Sequence, residues 1–352
     1  MSSHSNVKSG YTRKLDFKQG RIEMAHGSGG RAMMQLIQQL FLQAFDNEYL
    51  HPMNDHACFP GFNGRMVMST DSHVVTPLFF PGGDIGSLSV NGTINDVAMA
   101  GAKPCYLAAS FILEEGLPLA DLQRIVHSMA TTARSAGVPI VTGDTKVVEK
   151  GSGDGVFITT TGIGIVPAGI DISGENARAG DKIIISGTLG DHGIAVMASR
   201  ENLSFDTTIV SDTAALHDLV AAMIAAVPAI RVLRDPTRGG LASTLNEIAR
   251  QSSVGMMLYE NTLPIREQVK AACEFLGFDP LYIANEGKLV AICPAKDAGS
   301  LLHAMKNHPL GRDAAIIGEV IDDTHCFVQM QTQLGGNRVV DWLSGEQLPR
   351  IC

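Results

Sequence analysis

The chain has 352 residues, 45% of them hydrophobic and 18% charged, which is enough for two domains with sizeable cores. Asp and Glu number 36 against 27 Lys and Arg, and the formal charge of −9 disfavours nucleic acid and anionic membranes as partners. The six cysteines form no CxxC pair, so no zinc or redox motif is present, and their scatter reads as reduced thiols in a cytoplasmic protein.

The first 21 residues are polar and basic and lack the apolar run of a signal peptide; they read as a leader. "AHGSGGR" then leads into an apolar helical pattern, "AMMQLIQQLFLQAF". Glycines before a helix let backbone N–H groups approach an anion, which makes Gly27, Gly29 and Gly30 candidate nucleotide contacts. No Gly-Lys-Ser/Thr follows, so this is no Walker motif, and an ordinary turn into a helix fits equally well. "RMVMSTDSHVV" predicts a strand, "GSLSVNGTINDVAMAGA" a helix rich in small residues, and "YLAASFIL" a strand. "PLADLQRIVHSMATTARSAG" predicts an amphipathic helix that starts at Pro118 and stops at Gly137. "VPIVTGD" and "VFITTTGIGIV" follow as strands.

The loop "PAGIDISGENARAGD" breaks this alternation and marks a boundary. Beyond it, "KIIISG", "GMMLYE", "KLVAIC" and "AAIIGEV" predict strands, and "TAALHDLVAAMIAAV", "LASTLNEIARQ" and "REQVKAACEFLG" predict helices. The longest apolar stretch, "LVAAMIAAVPAI", is too short to span a bilayer and contains Pro228. The division is 1–21 leader, 22–166 N-terminal domain, 167–334 C-terminal α/β domain and 335–352 polar tail.

Four acidic stretches carry candidate chemistry: Asp55 in "NDHA", Asp71 in "STDSH", Asn95 and Asp96 in "INDVAMAGA", and Asp144 in "TGDTK". Asp71 and Asp144 fall at predicted strand ends, where an α/β sheet presents ligands. Mg²⁺ takes hard oxygen ligands together with phosphate oxygens and water, and carboxylates from several strands and loops suit it. Each aspartate alone reads as readily as a turn or cap; the set of four carries the signal. Lys146 and Glu149 follow Asp144, Arg238 lies in "DPTRGG", and Glu286 precedes a strand in "ANEGKLV". The histidines show no metal-ligand spacing.

The stretches "TDSHVVTPLFFPGGDIG", "GTINDVAMAGAKP", "TGDTKVVEKG", "DPTRGGLASTLNEIA" and the final "PRIC" together resemble the HypE family, the carbamoyl dehydratases of [NiFe]-hydrogenase maturation. The resemblance runs from about Ile22 to Cys352, and "PRIC" and "GDTK" are its specific parts. It implies a two-domain aminoimidazole ribonucleotide synthetase-like fold, mixed α/β, with a flexible C-terminal tail, and a homodimer paired through its N-terminal domains. It implies that the carbamoyltransferase HypF loads a carbamoyl group onto the Cys352 thiol. The family member then uses ATP to dehydrate that group to a thiocyanate, and the cyano group passes to iron held by a HypC–HypD complex.

By the same resemblance Asp55, Asp71, Asp96 and Asp144 would hold Mg²⁺, and Asn95 would join Asp71, Asp96 and Asp144 in nucleotide binding. Asn54 departs from a position where related enzymes carry aspartate. The chemistry assigns Lys146 to the transferring phosphoryl group and a base to Glu286 first, Glu149 second. Two other readings are a superfamily enzyme acting on a free small molecule, and a non-catalytic carrier of the carbamoyl or cyano group.

Overall fold

A computed structural model of the chain describes residues 14–54, 56–201, 203, 209–343 and 351. Two large sheets and a two-stranded ribbon, Phe79–Phe80 with Gly83–Asp84, organise the described residues. After α1 (Arg31–Leu36), one π turn and α2 (Leu42–Phe45), the first half runs β1 (Arg65–His73), β2 (Phe79–Phe80), β3 (Gly83–Asp84), α3 (Ile85–Met99), β4 (Lys103–Glu114), α4 (Leu119–Ala136), β5 (Ile140–Val148) and β6 (Val156–Val166). The four-stranded sheet has the order β1-β6-β4-β5, with only β4 and β5 parallel.

The second half runs β7 (Lys182–Ile185), α5 (Asp191–Arg200), α6 (His217–Ala226), β8 (Val232–Arg234), α7 (Gly240–Ser252), β9 (Gly255–Tyr259), α8 (Glu267–Leu276), β10 (Val290–Cys293), α9 (Ala298–Lys306), β11 (Ala315–Ile321), β12 (Val328–Gln331) and β13 (Asn337–Val339). Its seven-stranded sheet has the order β13-β12-β9-β11-β7-β10-β8. The fold is mixed α/β with a sheet in each half. The described cysteines are free thiols, and no helix of the described residues is long and apolar enough to cross a membrane.

The buried helix α3 sets the shape of the first half. Asp84 caps it: its carboxylate accepts from the Gly86 and Ser87 N–H groups at 2.7 and 3.0 Å, and the Ser87 hydroxyl answers the Asp84 N–H. Small residues on both sides allow close approach. A Cβ at Gly162 or Gly164 of β6 would strike Thr93 or Val97 of α3. The helix therefore lies directly on the sheet, and Ile85, Leu88 and Ile94 join Leu107, Phe111, Leu122 and Ile125 in one apolar cluster.

The opposite face of this sheet is uncovered. Met66 and Met68 of β1 are 50% and 73% exposed, and Ile112 of β4 is 42% exposed. Strands β7, β9 and β10 centre the second core, where Ile183, Ile185, Leu258, Val290 and Ile292 meet Leu241, Leu245 and Ile248 of α7.

Sequence periodicity missed α5, α9 and the short strands β8, β12 and β13. It also began α6 too early. Residues 213–216 read as helix, yet the Asn95 side chain takes their backbone instead: its amide donates to the Ala214 carbonyl at 3.0 Å and its oxygen accepts from the Leu216 N–H at 2.8 Å. A buried side chain from another element outbids local helix propensity there. Ile351, next to last in the sequence, is only 3% exposed and belongs to the apolar cluster that also holds Phe80, Val196 and Ala284. The usual frayed, wet chain end does not describe it.

Candidate active site

Strand alternation puts Ser69, Asp71 and His73 of β1 on the face beneath α3. Helical spacing puts Gly92 and Asp96 of α3 above them. A Cβ on Gly92 would meet His73 Nε2 at 2.9 Å, so glycine is what lets the imidazole sit there. Ser69 Oγ donates to Asp96 Oδ2 at 2.8 Å, and His73 Nε2 lies 3.4 Å from Asp71 Oδ2. Because β1 is an edge strand, this row opens sideways toward the second half of the molecule.

That second half contributes two loops. The loop before α7 brings Asp235, Thr237 and Arg238, and the segment before β10 brings Glu286. Asn285, fully buried, donates its side-chain amide to the Pro236 carbonyl at 3.0 Å and so pins one loop to the other. Glu286 is held on both sides of its backbone: its N–H donates to Asp212 Oδ1 at 3.0 Å, and its carbonyl accepts from Asn95 Nδ2 at 3.2 Å. Asp212 is itself paired with Lys288 Nζ at 3.0 Å. Asp71, Asp96, Asp235, Arg238 and Glu286 thus line one polar cavity of about 170 Å³.

The electrostatics of this cavity are one-sided. Glu286 is 4% exposed and its Oε1 has no hydrogen-bond partner. Burial pushes its carboxyl well above the usual range, and the charges of Asp235, Asp212, Asp71 and Asp96 push the same way. Asp235 is raised to about 7 by desolvation and the neighbouring Asp96. Asp96 is raised by its own burial, against the hydroxyl of Ser69. Arg238 lines the cavity 3.8 Å from Asp71 Oδ1, and Arg234 also offsets the charge on Asp96 and Asp235. Such a cavity favours protons, a cation, or a ligand carrying one. Among the described residues no three His, Cys, Asp or Glu form a ready-made metal cluster. The donors are nonetheless hard oxygens, one of them unpartnered, which fits Mg²⁺ completing its shell with water and phosphate oxygens.

The other sequence-predicted residues lie elsewhere. Asp71 pairs in register with Thr160, Thr160 with Ala109, and Ala109 with Gly143, so Asp144 stands one residue along and three strand spacings away, about 14 Å. Asp144 and Lys146 point to the uncovered face, joined to each other at 2.9 Å, and the lysine holds the Asp144 carboxyl below its usual range. Glu149 is exposed in the turn after β5. The glycine stretch lies along β5, since a Cβ on Gly27 would meet the Val147 N at 2.6 Å; Gly29 and Gly30 face open space. Asn95 spends its amide on the 214–216 backbone and Glu286. Asp55 and Cys352 lie outside the described residues.

Sequence reasoning passed over Asp235, Asp212, Asn285 and His192. Asp235 sits in the quoted "DPTRGG" and was readable as a loop acid; the other three are revealed only by the contacts they make.

Residues 53–166 match the model of AIR synthase related protein, N-terminal domain, and residues 178–331 that of AIR synthase related protein, C-terminal domain. A carbamoyl dehydratase HypE from Cupriavidus necator is 72% identical, over 98% of this chain and 99% of that protein. A crystal structure of hydrogenase maturation protein HypE in complex with ATP superposes with a TM-score of 0.90 at 51% identity, covering 94% of this chain and 99% of that one. The HypE chain of a HypE–HypF complex gives 0.77 at 53% identity, covering 88% and 99%. With this identity over nearly its whole length, the chain belongs to the HypE family.

Proposed function

We propose that this chain is an ATP-dependent carbamoyl dehydratase of hydrogenase maturation whose substrate is a carbamoyl group on its own Cys352. The observation that carries this reading is the burial of Ile351, next to Cys352 in sequence: it shares an apolar cluster with Ala284, which lies two residues before Glu286 with its unpartnered carboxyl. HypF is the proposed carbamoyl donor, supported by the solved HypE–HypF complex. A HypC–HypD complex is the proposed acceptor of the cyano group, for the iron of the hydrogenase. The setting is cytoplasmic.

The reaction converts S–C(=O)–NH₂ and ATP into S–C≡N, ADP and phosphate. ATP supplies a phosphoryl group to the carbamoyl oxygen, which then leaves as phosphate while nitrogen gives up two protons. In its ionised form Glu286 is the proposed acceptor for one nitrogen-bound proton, since a carboxylate destabilised by burial and like charge is a strong base, and the departing phosphate takes the other. Its two backbone contacts keep it from swinging away. Asp71, Asp96 and Asp235 would hold Mg²⁺ against phosphate oxygens. Lys146, Asp144 and the Gly27–Gly30 stretch would contact phosphates. Asn95 is better accounted for as the staple behind Glu286, and Glu149 as a turn residue.

Lys146 and Asp144 lie too far from Asp71 to act with it in one protomer. The proposed homodimer packs through the uncovered sheet face and brings a second copy's pair toward the β1 edge, where Thr70 and Ser72 of that face join the first copy's cavity lining; exposed Met66, Met68 and Ile112 are the apolar surface such packing needs. On this reading residues 22–166 form the ATP-binding and dimerisation domain, 167–334 the second domain and 335–352 the tail carrying the substrate.

Mass spectrometry of the C-terminal peptide after incubation with HypF, carbamoyl phosphate and ATP tests the proposal. The carbamoylated Cys352 peptide is expected to lose one water. A carbamoyl group that persists with no ATP consumed identifies a carrier, and ATP-dependent activity that survives tail deletion identifies a small-molecule enzyme.

A further inference from the structure

His192 of α5 is fully buried and takes no part in the chemistry above. Its Nε2 lies 2.9 Å from the Ile351 carbonyl oxygen and its Nδ1 lies 2.8 Å from Ser211 Oγ. A carbonyl can only accept, so Nε2 carries the proton. Burial lowers the imidazole pKa and keeps the ring neutral, which leaves Nδ1 bare. Ser211 must then donate to Nδ1, and its oxygen accepts from the Thr213 N–H at 3.2 Å. The hydrogen bonds run in one direction, from Thr213 through Ser211 and His192 to the tail. Phe80 stands edge-on to the imidazole, with centroids 5.5 Å apart and planes at 89°, and fixes the ring plane. Between Ser211 and Thr213 lies Asp212, the residue that holds the Glu286 N–H.

We infer that His192 is a positioning residue that latches the tail by the Ile351 carbonyl, one residue before Cys352, and that segment 211–213 ties this latch to the backbone of Glu286. The latch fixes how far into the protein the chain reaches. Its role in catalysis rests on the proposed function; the latch itself does not.

The test compares His192→Gln with His192→Asn. Glutamine places its N–H near the position of Nε2 and can still reach Ile351; asparagine offers the same amide but falls short. Ile351→Ala alters only the tail, so it reports even where a buried substitution harms folding. The first measurement is the rate of Cys352 alkylation by iodoacetamide at fixed pH without ATP or HypF, read on the C-terminal peptide. His192→Asn is expected to be alkylated about three- to tenfold faster than wild type, the range one buried hydrogen bond commands, and His192→Gln close to the wild-type rate; Ile351→Ala keeps the carbonyl but loses the buried side chain that seats it, and is expected to be alkylated faster as well. Equal rates in all four proteins overturn the latch. The second measurement takes HypF-carbamoylated proteins and follows dehydration in single turnover. His192→Asn is expected to dehydrate more slowly than His192→Gln, with equal loading by HypF. Faster alkylation with unchanged dehydration overturns the positioning role. No dehydration in wild type overturns the proposed function instead, with the alkylation difference still supporting the latch.

Discussion

The carboxylates around Glu286 and the Asp144–Lys146 pair on β5 differ in how the molecule holds them. The first are sunk between two halves of the chain, fastened through Asn95, Asn285 and Asp212, and short of positive charge. The pair on β5 lies on an open sheet face, satisfied by its own partner and by water. Burial raises the acids of the cavity, while the lysine lowers Asp144. Folding energy is thus stored against the cavity's own charge and scarcely invested in the exposed pair, as expected for surface ion pairs. On the proposed function, one region is a site for a cationic or phosphate-bound ligand, and the other is a surface for a second copy of the chain.

The sharpest way to break the comparison is Glu286→Gln, which keeps the shape and removes the proposed base. Dehydration of carbamoylated Cys352 is expected to fall by about 10²–10⁴-fold, with unchanged loading by HypF. Wild-type turnover would remove Glu286 from the proton transfer. Next in size is Met68→Glu on the uncovered face. A charge at the centre of the proposed apolar contact should convert the proposed dimer to monomer in sedimentation and depress dehydration, with thermal stability of the monomer retained. A monomeric wild-type protein, or a fully active monomeric variant, would separate the β5 pair from the site. Asn95→Ala probes the fastening. It removes three hydrogen bonds at a buried position and is expected to cost about 2–4 kcal/mol in denaturant unfolding. A cost well below that would mean the 214–216 backbone finds other partners.

The last contrast is electrostatic. Asp235 titrates near 7 in the fold against the ordinary 3.8, so the folded state holds its proton more tightly. Its contribution is therefore fully present below pH 3.8 and is lost as pH rises through 7. Asp235→Asn should flatten this part of the stability–pH curve between about pH 4 and 7 and raise the melting temperature at pH 8. A variant less stable than wild type at pH 8 would show that Asp235 gains more from a partner than it loses to burial.

Much of this contrast is visible in the sequence, though unevenly. The strand pattern of "RMVMSTDSHVV" and the small-residue run of α3 put Asp71 near a strand end and Asp96 on a closely packed helix, but do not show that the two face each other. The stretch "DPTRGG" advertises a loop but not that its aspartate turns inward beside Glu286. Asn95 reads as a candidate ligand beside Asp96, whereas its amide is committed to backbone far along the chain. His192 lies in "GTLGDHGIAVMASR", whose glycines mask the helical pattern, and its partner is 159 residues away. Local patterns report faces and turns. They carry no record of which distant backbone group a buried amide or imidazole will satisfy, since that is decided by packing between the two halves.

Gly287 follows Glu286, and a Cβ there would sit well inside contact distance of the Asp212 carbonyl oxygen, with the Ala214 nitrogen close behind. Even alanine would have to push segment 212–214 outward. Since that segment carries both the grip on Glu286 and the relay to His192, one methyl group would disturb two features that no variant of either residue alone would link. In a saturation-mutagenesis library, position 287 should therefore be intolerant to every substitution, while Gly299, with open space around the same added atom, should accept nearly any side chain compatible with a helix.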